Sequence, residues 1–244
     1  MASKATPTPP QLVLPLPKPA PTWGGRREGA GRPRREVGRK IPHEARPFHE
    51  GREPVHVTLR VRPGIALRRH DLAGVVGEAI RKASNDPGAA AVARRRTFRV
   101  VHFSIQPDHI HFVVEASSKV ALARGMQGLA SRLARRVNRH LHRRGALFAD
   151  RYHRRALATP LEVRRAVAYV LTNAAKHAEP IPDRGTEVRD GIDPCSSARW
   201  FDGWLRPPPP DRAIAPVATA QTWLLRVGWR RHGLLRRDER PATS

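Results

Sequence analysis

Thr97-Phe98-Arg99-Val100-Val101-His102-Phe103-Ser104-Ile105-Gln106-Pro107-Asp108-His109-Ile110-His111-Phe112-Val113-Val114-Glu115-Ala116 reads as two strand-like runs separated only by Pro107-Asp108. So short an interruption predicts a hairpin, although Pro-Asp is a less specific turn than Asn-Gly. Side chains alternate across a strand. Ile110, Phe112 and Val114 therefore share one face, while His109, His111 and Val113 share the other. In the first run, Val101, Phe103 and Ile105 form the matching core set and His102 points away from it. The hairpin has one apolar face and one that carries imidazoles.

Upstream, Val55-His56-Val57-Thr58-Leu59-Arg60-Val61 alternates with the same period and ends at Pro63-Gly64, as a half-buried strand does. It places His56 opposite the apolar set. A helical stretch from about Ala66 to Ala83 follows and stops at Asn85-Asp86-Pro87-Gly88. Downstream of the hairpin, a long helix begins after Ser117-Ser118. Its Leu122, Met126, Leu129, Leu133, Val137 and Leu141 recur at spacings of three and four. The run Leu147–Leu157 is a candidate fourth strand. Thr159-Pro160-Leu161-Glu162 is a capping box with proline in the first turn, opening a helix expected to reach about His177. The order β-α-β-β-α-β-α predicts an α+β, ferredoxin-like (split βαβ) domain over residues 54–178. It is an antiparallel sheet with helices on one face, plus a C-terminal tyrosine-bearing helix.

The flanks differ in kind. Residues 1–53 read as a disordered, basic, Pro/Gly-rich arm, with 10 of the chain's 24 prolines in the first 50 positions. Inside it, the glycine-bordered Arg32-Pro33-Arg34 can lie in a narrow minor groove, or stay a solvated basic tail. Residues 179–244 form a Pro-rich extension. Trp200, Phe201 and Trp204 are expected to dock on the domain, and Trp223, Leu224, Val227, Leu234 and Leu235 to line a short amphipathic helix.

The 244 residues hold 46 Lys+Arg against 21 Asp+Glu, a formal net charge of +25. Such an excess calls for a polyanionic partner, and nucleic acid fits better than membrane because no amphipathic anchor or lipidation signal is present. The early apolar run Leu12–Leu16 is broken by Pro15, which argues against a membrane span. A lone cysteine, Cys195, suits a reducing compartment. A cytoplasmic, nucleoid-associated protein is expected. Residues 121–170 contain 12 arginines and two acids. Arg132, Arg135, Arg136, Arg139, Arg151, Arg154 and Arg155, with Arg32 and Arg34 of the arm, are the candidate DNA contacts.

Two imidazoles at i and i+2 can point at one metal ion. A lone His-x-His pair also suits a solvated strand face. On the last helix, Val163, Val167, Val170 and Ala174 cluster on one side, while Tyr169 and Asn173 sit together about 120° away. A rim tyrosine with its hydroxyl in water would look the same. If the helix faces the histidines, a metal on His109, His111 and Asn173 would keep open positions for phosphate oxygens. A Tyr169 phenol, deprotonated near metal and arginines, could then attack phosphorus.

These residues carry a family resemblance. His109-Ile110-His111 fits the His-hydrophobic-His signature of the single-tyrosine HUH transposases. Tyr169-Val170-Leu171-Thr172-Asn173-Ala174 resembles the Tyr-Ile-x-x-Asn-Pro helix of the REP-associated tyrosine transposase branch, with alanine in place of proline. Leu147-Phe148-Ala149-Asp150-Arg151-Tyr152 is similar to that branch's Leu-Trp-x-x-Arg-Tyr/Phe stretch. The resemblance implies a DNA transposase that cuts and joins single strands through a 5′-phosphotyrosine. Tyr169 is then the nucleophile, and His109, His111 and Asn173 hold the metal. Mg²⁺ or Mn²⁺ is expected, since imidazole favours later metals while amide and phosphate oxygens favour harder ions. Single-stranded or hairpin DNA is the expected partner, and a homodimer is compatible with such a site. Tyr152 is expected to pack or to stack on a base. A non-catalytic, domesticated DNA-binding protein on the same fold is the alternative. An RNA-recognition module is disfavoured because histidines stand where its stacking rings would be.

Overall fold

Val55–Arg60 forms β1, its burial alternating as its sequence does. Phe98–Ile105 and His109–Ala116 are β2 and β3, paired antiparallel across the Pro107-Asp108 turn. His153–Ala156 is a short β4 against β1. The sheet order is β2-β3-β1-β4, with every pairing antiparallel. That is the order a split βαβ repeat produces, and it agrees with the expected α+β, ferredoxin-like class. The computed structural model describes residues 48–85, 96–173, 191–209 and 213–239. The arm with Arg32 and Arg34, and any extension of the last helix beyond Asn173, lie outside the described residues.

Two helices cover one face. α1 (His70–Asn85) contributes Leu72, Val76 and Ile80. α2 (Lys119–His140) contributes Leu122, Met126, Leu129, Leu133 and Val137, the expected stripe. They close over Val55, Val57, Leu59, Val100, Phe103, Ile105, Ile110, Phe112 and Val114 of the sheet. Each such side chain, fully buried, is worth about 1.5–3 kcal/mol. The Ser118 hydroxyl caps α2 by accepting from the Ala121 amide at 3.1 Å.

α1 starts four residues later than its apolar pattern suggests. Residues before it are held by tertiary bonds instead: the Leu67 amide donates to the Pro107 carbonyl at 2.7 Å. Arg68 turns inward and meets the Asp193 carboxylate through two bonds of 2.8 and 2.9 Å, with the two side chains 5% and 2% exposed. Removing one partner of a buried pair strands the other charge. Arg68→Ala should therefore cost about 3–5 kcal/mol in urea unfolding. Arg69→Ala, which breaks only a surface pair with Asp71, should cost at most about 1 kcal/mol.

The sheet departs from simple alternation at Val101. A bulge shifts the register between Val100 and His102, so Val100, not Val101, joins Phe103 and Ile105 in the first core. An extra residue in one strand reverses facing on one side of it. Val101 instead enters a second core with Val113.

That second core lies on the histidine-bearing face, which is covered. α3 (Pro160–Thr172), opened by the reciprocal Thr159/Glu162 capping box, contributes Val163, Val167, Val170 and Leu171. C-terminal residues contribute Phe201, Trp204, Leu224, Leu225, Trp229 and Leu235. Phe201 and Trp204 dock as expected, whereas Trp200 is only half-buried. The expected amphipathic helix is one turn, α4 (Trp223–Arg226), followed by a 3₁₀ turn at Gly228–His232. The change of helical phase buries Trp229 and leaves Trp223, Val227 and Leu234 exposed. Among the described residues, no helix is long and apolar enough to cross a membrane.

Candidate active site

Cross-strand register assembles the site. Thr58 of β1 stands opposite both His111 of β3 and His153 of β4, and His56 stands opposite Val113 and Arg155. Directly opposed residues share a face, so His56, Thr58, His111, His153 and Arg155 lie together. One pair further along, Arg60 faces His109.

The two histidines of β3 converge: His109 Nε2 and His111 Nε2 are 2.9 Å apart. Their other nitrogens are occupied. His109 Nδ1 donates to the Asp108 carboxylate, which also binds Arg60 at 2.8 Å. Burial alone would raise the Asp108 pKa; the hydrogen bond and charge of His109, with Arg60, outweigh it and hold the carboxyl below its ordinary value. His111 Nδ1 lies 3.1 Å from both His56 Nε2 and Thr58 Oγ1. Burial, reinforced by the charges of His153, Arg155 and His109, lowers His56 to about 4, so it is neutral at pH 7. A neutral imidazole that donates from Nδ1 keeps its lone pair on Nε2. With both rings so disposed, two lone pairs face one point, which requires a shared proton or a cation.

The donor set fits a metal. Two imidazole nitrogens this close, with lone pairs facing one point, can be taken up by one cation. The Nδ1 partners, a carboxylate on one ring and a hydroxyl or imidazole on the other, are the groups that orient metal-binding histidines. Among the described residues, no three His, Cys, Asp or Glu side chains form a ligand group.

Tyr169 of α3 stands edge-on to these rings. Its centroid is 5.0 Å from His111 at 79° and 5.8 Å from His56 at 66°. Burial raises its hydroxyl above the ordinary value. Asn173 caps α3 one turn on and is wholly buried. Neither its Oδ1 nor its Nδ2 meets a hydrogen-bond partner among the described residues, an uncommon state for a buried amide. The structure thus sets the Tyr169 ring against His111 and His56, and His111 against His109. It holds Asn173 a turn away without a hydrogen bond to them.

Residues 75–172 match the family model described as transposase, IS200-like. The resemblance is to the IS200-like transposases. It supports a transposase role and agrees with the resemblance read from His109-Ile110-His111 and the tyrosine helix. The matched segment includes His109, His111 and Tyr169, begins after His56 and Thr58, and ends one residue before Asn173. A solved structure, described as a REP-associated tyrosine transposase bound to a REP hairpin, is 15% identical with a TM-score of 0.42. It covers 57% of this chain and 75% of that one. No curated protein sequence matches.

The candidate arginines do not form one patch. Arg155 shares the histidine face and pairs with Glu162 at 3.1 Å. Arg154 stands opposite Val57 on the other face, and Arg151 is half-buried just before β4. Arg132, Arg135, Arg136 and Arg139 ride on α2, which covers the face away from the histidines. Tyr152 packs against the first core, on that far side. Sequence reasoning missed the orienting roles of Thr58 and Asp108. Thr58 was legible as the residue sharing a face with His56, and Asp108 as a carboxylate adjoining His109; the turn reading absorbed it.

Proposed function

We propose that the chain is a metal-dependent tyrosine transposase, cleaving and rejoining single-stranded DNA through a 5′-phosphotyrosine. The observation that carries this reading is the Tyr169 ring standing 5.0 Å from that of His111, whose Nε2 meets His109, within one chain. His109, His111 and Asn173 would hold Mg²⁺ or Mn²⁺, which polarises the scissile phosphate when bound. Asp108 and Thr58 orient the two imidazoles, and neutral His56 supports His111 without adding a competing charge. The Tyr169 oxygen bonds to phosphorus, the P–O3′ bond breaks, and the departing 3′ oxygen takes up the proton lost by the phenol. Reversal by a 3′-hydroxyl rejoins a strand. All of these groups belong to one chain, the arrangement in which the tyrosine acts in cis.

The test is incubation of the full chain with end-labelled hairpin DNA and Mn²⁺. A cleaved strand bound covalently to protein supports the reading. Unbroken DNA, with no slow-migrating protein on a denaturing gel, leaves only a binding function on this fold.

Net charge makes a separate prediction. With roughly six phosphates contacted, affinity for a single strand should fall about 10²–10³-fold between about 50 and 200 mM salt. An affinity that barely moves across that range would remove the electrostatic basis for a DNA partner.

A further inference from the structure

A second feature lies at the far end of the sheet. β3 runs from His109 to Ala116, and its Ala116 end is about 17 Å from His111 and about 23 Å from His109 at about 3.3 Å per residue. There the Glu115 carboxylate, 2% exposed, receives Arg99 Nη1 at 2.8 Å. It also accepts from the Gln221 amide at 2.9 Å and from the Thr222 amide and hydroxyl at 2.8 Å. This buried clasp holds Thr222, the N-cap of α4, and so fixes Trp223 beside it.

Trp223 is unusual among its neighbours. Leu224, Leu225 and Trp229 are buried, yet Trp223 is 49% exposed. Its ring lies across Gly228, where an added Cβ would approach within 2.6 Å. The Arg231 guanidinium stands over the ring at 4.8 Å. The indole is thus held in place with about half of the residue's surface open to solvent, Arg231 lying over the ring.

Trp223 lines a cleft of about 310 Å³ together with Arg52, Arg96 and Arg99. The cleft shares Thr97, Arg99 and Ser117 with a larger one of about 710 Å³, lined by Arg124, Arg132 and Arg135 of α2. Arg52 is offset by Glu50 at 2.6 Å. Arg96, Arg124, Arg132 and Arg135 make no ion pair with a carboxylate among the described residues.

We propose that these joined clefts are a second contact for single-stranded DNA, with an unpaired base on Trp223 and the backbone running along Arg96, just before β2, and Arg124, Arg132 and Arg135 of α2. Aromatic rings accept any base face, and guanidinium groups track phosphates without reading sequence. A duplex keeps its bases stacked inside and offers Trp223 nothing to receive. The proposal accounts for the arginines of α2, which the histidine site cannot use. It rests on DNA being the partner but not on catalysis, and Trp223 lies outside the segment that matches the transposase family.

The experiment is fluorescence anisotropy of the full chain with labelled oligothymidylate of about 20 nucleotides, and with a duplex of equal length. Trp223→Ala should bind the single strand about 5- to 150-fold more weakly, with little change for duplex. Trp223→Phe, which keeps a stacking ring, should recover most of the affinity. Arg96→Ala and Arg132→Ala should each lower the salt slope by about 0.7. In the parent protein, photo-crosslinking to 5-iododeoxyuridine should mark the tryptic peptide of residues 213–226, a readout independent of how any variant folds. Unchanged binding by Trp223→Ala, an equal loss for duplex, or crosslinks only elsewhere would overturn the second contact. A parent protein that binds no single strand would instead overturn the DNA reading itself.

Discussion

Tyr169→Phe should abolish the covalent protein–DNA adduct while leaving DNA affinity and folding close to those of the parent. The substitution removes one hydroxyl and keeps the ring that stands edge-on to His111 and His56. The loss therefore reports chemistry and not packing. Without a nucleophile there is no slower path to the same intermediate, so adduct formation should fall below detection. Tyr152→Phe is the internal control. Tyr152 packs against the first core, on the face away from the histidines, so loss of its hydroxyl should leave the adduct intact. Denaturing gels on hairpin DNA with Mn²⁺ read both outcomes. The opposite pattern, Tyr152→Phe losing the adduct and Tyr169→Phe keeping it, would reverse the assignment.

His109→Ala and His111→Ala should each eliminate cleavage while leaving most of the DNA affinity, because affinity resides in the arginines. Each substitution removes one of two nitrogens that approach within 2.9 Å, and a single imidazole does not hold Mg²⁺ or Mn²⁺ well. The orienting groups give graded losses. Asp108→Asn weakens the acceptor of His109 Nδ1–H, and Thr58→Val removes one partner of His111 Nδ1. Such outer partners are worth about 10- to 100-fold in metal affinity, so excess Mn²⁺ should rescue these variants and not the histidine ones. Chelation should stop the parent enzyme. Full cleavage in EDTA would mean that the histidine pair serves something other than a metal.

Much of the fold was legible locally. β1, β3 and α2 carry periods of two or three-to-four that only one facing satisfies, and the Thr159/Glu162 box marks where α3 begins. What depended on distant partners was not. The Val101 bulge exists only against β3, and nothing in the alternation of β2 announces it. His102 reads as a residue on an open face, yet it is buried against Phe201, a residue 99 positions away. Burial lowers it to about 4 and keeps it neutral. The same distance hides the Arg68–Asp193 pair, which displaces the start of α1. Within the site, the histidines and the tyrosine stood out because spacing alone puts each on the right face. Orientation of His111 by Thr58 needed the register of β1 against β3.

The most direct test of the central claim is peptide mapping of the adduct formed on single-stranded hairpin DNA with Mn²⁺. Trypsin separates the two tyrosines, since Arg151 and Arg154 bracket Tyr152 while Arg165 and Lys176 bracket Tyr169. After nuclease digestion, the nucleotide mass should sit on the peptide of residues 166–176, joined through a 5′ phosphate to Tyr169. The same mass on Tyr152, on a serine, or on no peptide of an actively cleaving sample would contradict the account.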